Sequence, residues 1–303
     1  MTRHQTVPGL PVTAPQWQAR YPSDGTYQPL DDAWANLATS RRGASVTVTT
    51  GSPAHTAGAW AELVASMPEQ IDGFTLRLGI GNTSGADTSR LMDVGVGAAG
   101  SEVVVVENMM VGYNGAAADY YLPVRVPKGA RLAVRARGAA DSDGRTVEWD
   151  SANTSNMLGP IRRRPDLPRP TRLLTAGADT ATSGGVVLTA PGSTHTKAAW
   201  TTVSSGFAVP LRGLLAFTSI APGTTNTPAS GYLLWDVAMG AAGAETLLAA
   251  NTASTTGSTE SIAGGRATAV WRHIPAGIRI AGRYQRASTS IDLCMTLIGV
   301  PYS

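Results

Sequence analysis

The sequence predicts an all-β fold of two tandem antiparallel β-sandwich domains with an extended N-terminal arm. Short segments rich in β-branched residues recur between Gly and Pro turns throughout the 303 residues, which is typical of strands joined by tight turns. Small residues are abundant, whereas aromatic residues make up 6% and charged residues 15% of the chain. Most of the chain also matches itself about 140 positions later, which indicates one module present twice.

The repeat sets the predicted domain boundaries. An N-terminal arm (1–43) is followed by β-sandwich domain 1 (44–152), a Pro/Arg-rich linker (153–184) and β-sandwich domain 2 (185–303). The arm has no counterpart before the second module and is too short for its own core, so we expect it to order on the first domain or on a partner chain. Four prolines between positions 160 and 170 favour an extended linker.

Alternation of apolar and polar residues predicts the strands of each module. In the first module they are 44–49, 74–78, 89–94, 101–106, 120–126, 131–136 and 145–149. In the second module they are 186–189, 214–217, 231–237, 246–250, 267–272, 278–283 and 291–298.

A histidine and a tryptophan recur in both modules. His55 and Trp60 are matched 140 positions later by His195 and Trp200. A base or a metal ligand would need a second His, a Cys or clustered carboxylates at ligand spacing, and neither histidine has them. The pattern therefore predicts turn histidines that bond backbone groups, with each tryptophan as the large anchor of a small-residue core.

A ten-residue stretch from Asp93 to Glu102 recurs as Asp236 to Glu245. Its first copy satisfies G-x-G-x-x-G, but a dinucleotide site needs a helix after these glycines. A β-branched run, 103–106, follows instead, and Ala238 replaces the first glycine in the second copy. The stretch therefore predicts a turn between two strands, in which glycines supply positive φ angles. The turn glycines are Gly97 and Gly100, and in the second copy Gly240 and Gly243.

A third match relates Pro127-x-Gly129 to Pro275-x-Gly277. Proline followed two residues later by glycine predicts a type II turn with proline at its first central position.

Composition argues against several function classes. The net charge is only +3, and the one dense basic run, 162–164, lies among prolines, so we expect a solvated linker and no nucleic-acid partner. Cys294 is the only cysteine; an internal disulfide is excluded, and its apolar surroundings in the sequence predict a small buried residue. The first five residues lack the apolar core of a signal peptide, and no stretch approaches the roughly 18 apolar residues of a membrane span. We therefore expect synthesis in the cytoplasm, no membrane span, and no cofactor or metal.

The three repeated motifs in this order resemble structural proteins of tailed bacteriophages. Such chains are called minor tail proteins, and similar modules occur in head or tail fibres and spikes. The resemblance covers about 230 residues in both modules and leaves the arm unexplained. It implies a jelly-roll topology and carries over no catalytic residues. The departures are Ala238, Lys197 in place of Ala57, and the irregular end of the first module; they put ligand or surface roles in doubt, not the fold.

The leading hypothesis is a non-enzymatic virion component, a minor tail protein at the tail tip that contributes to host attachment. A homotrimer is expected, with the N-terminal arm contacting other virion proteins, and the chain would be made in the host bacterial cytoplasm. A head spike, capsid fibre or decoration protein is the alternative within the same class.

Two hypotheses come from other classes. A module that binds host-surface glycan could stack exposed tyrosines on sugar rings, although tyrosines in strands are more often half-buried. The candidates are Tyr113, Tyr120, Tyr121, Tyr232 and Tyr284. An enzyme such as a glycan depolymerase would need a close pair of carboxylates, for which the repeated Asp and Glu are the only recurrent acids. A repeated acid beside a glycine turn is more simply a group that caps the backbone.

Overall fold

The computed structural model describes residues 46–68, 70–78, 89–112, 118–139, 144–150, 170–221, 231–256, 268–287 and 292–302. Met1–Ser40 and Arg41–Ser303 form two separate units, and the described residues all belong to the second. Every regular element in these ranges is a β-strand. No helix among the described residues is long and apolar enough to cross a membrane. The predicted arm and residues 153–169 of the predicted linker lie outside the described residues.

The strands follow the two copies of the repeat. The first copy contains β1 (Val46–Thr49), β2 (Ala61–Val64), β3 (Phe74–Leu78), β4 (Ser89–Val96), β5 (Val103–Gly112), β6 (Ala118–Leu122), β7 (Leu132–Gly138) and β8 (Gly144–Asp150). The second contains β9 (Leu174–Ala176), β10 (Ala178–Asp179), β11 (Gly184–Val187), β12 (Thr201–Ser204), β13 (Leu211–Ile220), β14 (Gly231–Met239), β15 (Thr246–Thr256), β16 (Thr268–Val270), β17 (Ile280–Arg286) and β18 (Leu293–Pro301).

Each copy contains two antiparallel sheets that share the same order of four strands. The first copy has the orders β1-β8-β3-β6 and β2-β7-β4-β5. The second copy repeats them as β11-β18-β13-β16 and β12-β17-β14-β15, with β10 added beside β11 and β9 beside β18. Eight strands distributed in this way over two sheets form a jelly roll. The prediction of an all-β, jelly-roll-like sandwich fold is therefore confirmed.

All of the predicted strands overlap observed ones, but four observed strands were missed. These are β2, β9, β10 and β12, which have two to four residues each and are too short to show an alternation. Both β9 and β10 lie within 153–184, the range predicted as the linker. They belong to the second copy's sheet, because Thr175 pairs with Ile298 and Ala178 with Gly185.

The repeated glycine stretch is a turn in both copies. Gly100 has φ 79° and the amide of Ser101 donates to the Ala98 carbonyl at 2.9 Å. In the second copy Gly243 has φ 83°, and Ala244 donates to Ala241 at 3.0 Å. A strand follows each turn, so the predicted turn is confirmed and a nucleotide-binding helix is absent at this place.

The Pro-x-Gly segments are also turns with glycine at positive φ, 77° for Gly129 and 70° for Gly277. The amide of Ala130 donates to the carbonyl of Pro127 at 3.3 Å, which makes Pro127 the first residue of its turn. The prediction that proline is a central residue is therefore wrong, whereas the position that requires a glycine was predicted correctly.

The sheet that contains β13 and β18 is buried on both faces. Leu214 and Ala216 of β13 face the core of the second copy, whereas Leu215 and Phe217 face the core of the first. In β18 every residue from Leu293 to Val300 is buried. A sheet covered on both faces requires apolar residues at successive positions and not only at alternate ones. The first copy therefore packs on the outer face of the second copy's sheet.

Specific contacts join the two copies across this face. The rings of Tyr120 and Phe217 stack with centroids 5.9 Å apart and an interplanar angle of 15°. The sulfur of Cys294 lies 3.6 Å from that of Met110. Their burial joins the two copies within one compact unit, and the division into domains 44–152 and 185–303 stays a prediction.

Cys294 is fully buried between the copies, which confirms the prediction for this residue. Burial raises the pKa of its thiol to about 12. The thiolate, which is the reactive form, is therefore suppressed at neutral pH.

We expect Phe217→Ala to lower the free energy of unfolding by about 3–5 kcal/mol, because it leaves a cavity between the copies. Urea denaturation of this variant, of Tyr120→Ala and of the double variant measures their coupling. Residues in contact couple by about 0.5–3 kcal/mol, so the double variant should lose less than the sum of the single losses. The control pairs Phe217→Ala with Tyr284→Leu, whose side chain lies in the other core cluster, and should be additive. Additive losses for Phe217 and Tyr120 would contradict the contact between the copies.

Candidate functional site

The repeated histidines lie in the turns before β2 and β12. His55 and His195 have positive φ angles of 67° and 57°. The amide of His55 donates to the carbonyl of Gly138 at 2.7 Å, and that of His195 to the carbonyl of Arg286 at 2.8 Å. These backbone bonds tie each turn to the end of β7 or β17. Both histidines therefore lie in turns, as the sequence predicts. The imidazole Nδ1 of His55 lies 3.0 Å from the hydroxyl oxygen of Ser183, so its partner is a side chain and not a backbone group.

The sequence predicts that the repeated tryptophans are core anchors, and this prediction is wrong. Both are partly buried rings that lie beneath arginines. The guanidinium carbon of Arg135 lies 4.5 Å from the Trp60 ring centroid, and that of Arg283 lies 4.3 Å from that of Trp200. Trp60 also lies close to the backbone of β4, since a Cβ on Gly95 would be 2.8 Å from its ring. The charged guanidinium group lies over one face of the indole ring and stays hydrated, so the ring itself lies near the protein surface.

The largest fully buried side chains are other aromatic residues. They are Trp235, Tyr120, Tyr284, Phe74 and Phe217. These residues, and not the repeated tryptophans, are the large anchors of the cores.

Asp93 is buried and binds three groups in the first copy. Its carboxylate accepts the Asn108 amide at 2.8 Å and the Nε of Arg135 at 2.8 Å. The Nη2 of Arg137 lies at 3.6 Å. All of these partners belong to β5 and β7, the two neighbours of β4 in the sheet.

Asp236 repeats this arrangement in the second copy. It accepts the Asn251 amide at 2.7 Å, the Nε of Arg283 at 2.8 Å and the Nζ of Lys197 at 2.7 Å. Burial opposes ionisation of this carboxyl, but the Asn251 amide, Lys197 and Arg283 together hold its pKa below the ordinary value. Lys197, a departure from the first copy, therefore supplies the second cation, which Arg137 supplies for Asp93.

A bulge in the edge strand explains why an aspartate is needed at this position. Asn108 and Asn251 have positive φ angles of 49° and 52°, and the register with the neighbouring strand shifts next to each of them. Asparagine tolerates this conformation better than most residues, and a bulge leaves its amide outside the ladder. The buried carboxylate accepts that amide, so the Asp and the Asn form a pair fixed by backbone geometry.

The repeated glutamates form a second set of ion pairs. Glu102 binds Nη1 of Arg131, whose Nε also binds Glu62 at 2.7 Å. Glu245 binds Nη1 of Arg279 at 3.0 Å and accepts the Gly243 amide at 3.0 Å. Burial opposes ionisation of both glutamates, but backbone amides and the arginine partner hold the pKa of each below its ordinary value.

Sequence analysis missed the arginines that hold these carboxylates. They are Arg131 and Arg135 in the first copy and Arg279 and Arg283 in the second. The signal was present, because Arg-x-x-x-Arg follows the Pro-x-Gly turn at the same distance in both copies.

The geometry of these acids does not favour the hypothesis of a glycan depolymerase, which would need a close pair of carboxylates. Asp93 and Glu102 bind different arginines, and a general acid would need a raised pKa, whereas that of Glu102 is lowered. Among the described residues no group of three or more His, Cys, Asp or Glu side chains could hold a metal ion. The shared charged residues instead neutralise one another and stabilise the turns.

Sugar stacking requires exposed tyrosines, but none of the candidate tyrosines whose side chains the structure describes is exposed. Tyr120 and Tyr284 are fully buried, so they cannot contact a sugar, and Tyr121 is half-buried. Tyr113 lies outside the described residues, as does the side chain of Tyr232.

Among the residues that the structure describes, two exposed aromatic side chains lie near the end of the second copy. Trp271 is 53% exposed and Tyr302 is 45% exposed. The Nδ1 of His273 lies 2.9 Å from the hydroxyl oxygen of Tyr302. We call Trp271, His273 and Tyr302 the aromatic cluster; the first copy has Pro123 and Arg125 in place of Trp271 and His273.

No protein-family model and no curated protein matches the sequence. Among solved structures, the chain is similar to the STIV MCP, a viral major capsid protein, at 9% identity and a TM-score of 0.33. The match covers 85% of this chain and 97% of the other. A vicilin from Solanum melongena follows at 11% identity and a TM-score of 0.15, covering 79% and 73%. TM-scores this low carry no argument about what the chain does.

We expect Asp236→Asn to lower the free energy of unfolding by about 2–3 kcal/mol at pH 7, because it removes charged hydrogen bonds to Lys197 and Arg283. Since the folded-state pKa of Asp236 is lowered, its stabilisation is complete above the unfolded pKa of about 3.9 and is lost as the pH falls through the folded pKa. The variant should therefore lose less stability than the wild type between about pH 5 and pH 2. Urea denaturation at several pH values measures both effects.

The matched control for this prediction is Glu107→Gln. Glu107 forms an exposed ion pair with Arg172 at 3.2 Å, and exposed pairs contribute about 0–1 kcal/mol. An equal loss in both variants, or an unchanged acid dependence in Asp236→Asn, would contradict the proposed stabilisation.

Proposed function

We propose that this protein is a non-enzymatic structural component of a tailed-bacteriophage virion. The observation that carries this proposal is that the charged residues shared by both jelly rolls bind one another and the backbone. Asp93 binds Arg135 and Asp236 binds Arg283, so the repeated residues serve the fold. Jelly rolls are used in viral capsids and in lectins, but a fold alone does not define a function.

The resemblance of the three repeated motifs to phage structural proteins supports a finer proposal. The chain would be a minor tail protein at the tail tip, contributing to host attachment after synthesis in the host bacterial cytoplasm. A head spike, capsid fibre or decoration protein is the alternative position in the particle.

Self-association belongs to the same proposal. We expect a homotrimer in which the N-terminal arm contacts other virion proteins. A trimer predicts that sedimentation gives three times the chain mass of 31.3 kDa. A monomer at micromolar concentration would contradict the trimer without affecting the virion assignment.

The virion assignment predicts that the chain is found in purified particles of the encoding phage. Gold-labelled antibodies against residues 46–302 should decorate the tail tip in electron micrographs. Label on the head would instead support the spike or decoration alternative. Particles that contain no such chain by mass spectrometry would rule out a structural role, and antibodies against an unrelated cytoplasmic phage protein provide the negative control.

Glycan binding is a second candidate function, and the aromatic cluster favours it. A Cβ on Gly213 would lie 2.5 Å from Cε3 of Trp271, so the indole packs directly against the backbone of β13. A ring that is fixed on one face and 53% exposed offers its other face to a ligand. Aromatic side chains with an apolar face and a polar edge suit sugars, which combine C–H faces with hydroxyl groups.

We expect Trp271→Ala to weaken binding to host-surface glycan by about tenfold, which corresponds to about 1.4 kcal/mol. A glycan array followed by titration of the bound sugars measures this change. Val187→Ala is the matched control, because Val187 is also about half exposed but belongs to no aromatic cluster. An array without binding, or equal affinities for both variants, would exclude this second candidate.

A further inference from the structure

The strands β5 and β15 occupy the same position in the two copies. Each is the edge strand of its four-stranded sheet, next to β4 or β14. An edge strand presents unpaired N–H and C=O groups that can bind another chain. What covers each edge therefore determines which partner the molecule can accept.

In the first copy, the segment that precedes the second copy covers the edge of β5. The amide of Leu173 donates to the carbonyl of Val105 at 2.8 Å, and the hydroxyl of Thr175 donates to the carbonyl of Glu107. Arg172 adds an ion pair with the Glu107 side chain at 3.2 Å. These contacts place residues 172–175, the segment that leads into β9 and includes its first residues, along the open side of β5.

In the second copy, the corresponding edge is open in the part of the chain that the structure describes. No backbone hydrogen bond from outside the sheet reaches β15 among these residues. Leu247 is 46% exposed, and Ala250 and Ala253 are also exposed. The strand has 11 residues without a charge or a proline, which are the common devices that protect an edge from pairing.

The repeat itself indicates what covers this edge. In one chain, the residues before copy two bind the edge of copy one. Residues 1–45 precede β1 in the sequence, just as the covering segment precedes β11, the strand that corresponds to β1 in the second copy. Val186 of β11 corresponds to Val46 of β1 at a spacing of 140 residues. At the same spacing, Leu173, which binds the edge of β5, corresponds to Ala33 in the N-terminal segment. The next edge in this series is therefore β15 of a different molecule.

We propose that β15 binds the N-terminal segment of a second copy of this chain by strand addition. Main-chain hydrogen bonds supply the affinity in this mode of recognition, and small exposed residues such as Ala250 and Ala253 let another backbone approach closely. Each chain donates one segment and accepts one, which is a heterologous contact. Such contacts close into a ring when the rotation between subunits permits it. The inference rests on the proposed virion function, because it names the partner through which the chain assembles.

A photo-crosslinking experiment on the full chain tests the occupant directly. The photoreactive residue p-benzoylphenylalanine replaces exposed Ala253, and isotopically labelled and unlabelled chains are mixed before illumination. We expect crosslinked pairs of differently labelled chains, joined at a peptide from residues 1–45. The same probe at Ala276, in an exposed turn, should give no such product. Crosslinks only within one chain, or only to residues beyond 45, would overturn the proposal.

A charge on the edge tests the contact without a probe. Ala250→Lys should reduce the oligomer seen in sedimentation velocity to monomer, because lysine on an edge strand opposes pairing. Ala276→Lys adds the same charge away from the edge and should leave the oligomer intact. Circular dichroism checks that both variants fold. An unchanged oligomer in Ala250→Lys, or a monomeric wild type, would refute strand addition, whereas immunolabelling of particles tests the virion role independently.

Discussion

The burial of one sheet on both faces is the constraint on which the rest of the structure depends. In β13 the odd positions 215 and 217 face the core of the first copy and the even positions 214 and 216 face that of the second. In β18 the even positions face the core of the first copy and the odd positions that of the second. This explains why Leu293 to Val300 is buried throughout, whereas its counterpart β8 reads as alternating polar and apolar residues.

Backbone geometry accounts for the residues that the copies share. A bulge at Asn108 or Asn251 leaves an amide without a ladder partner, and a buried aspartate accepts it. The aspartate then needs a cation, and the arginine that supplies it needs a surface to lie on, which the tryptophan provides. Each residue of this series is required by the previous one. Recurrence of these residues in both copies therefore reflects the demands of the fold.

The sequence predicted the fold class, the duplicate organisation and the glycine turns, because these depend on local patterns. It predicted Gly97, Gly100, Gly240 and Gly243 as turn residues, and all four have positive φ. It could not place Trp60 and Trp200, since their environment depends on arginines about 75 to 83 positions away. It also missed β9 and β10, because strands of two or three residues exist only through pairing with distant segments.

The thiol of Cys294 can serve as a chemical probe of motion between the two copies. It lies on the shared face, and the chain contains no other thiol. Local opening exposes a buried group in a fraction of molecules set by the free energy of the contacts that cover it. The rate at which a thiol reagent modifies the native protein therefore reports the fraction of molecules in which the face between the two jelly rolls is open, without any label having to be introduced.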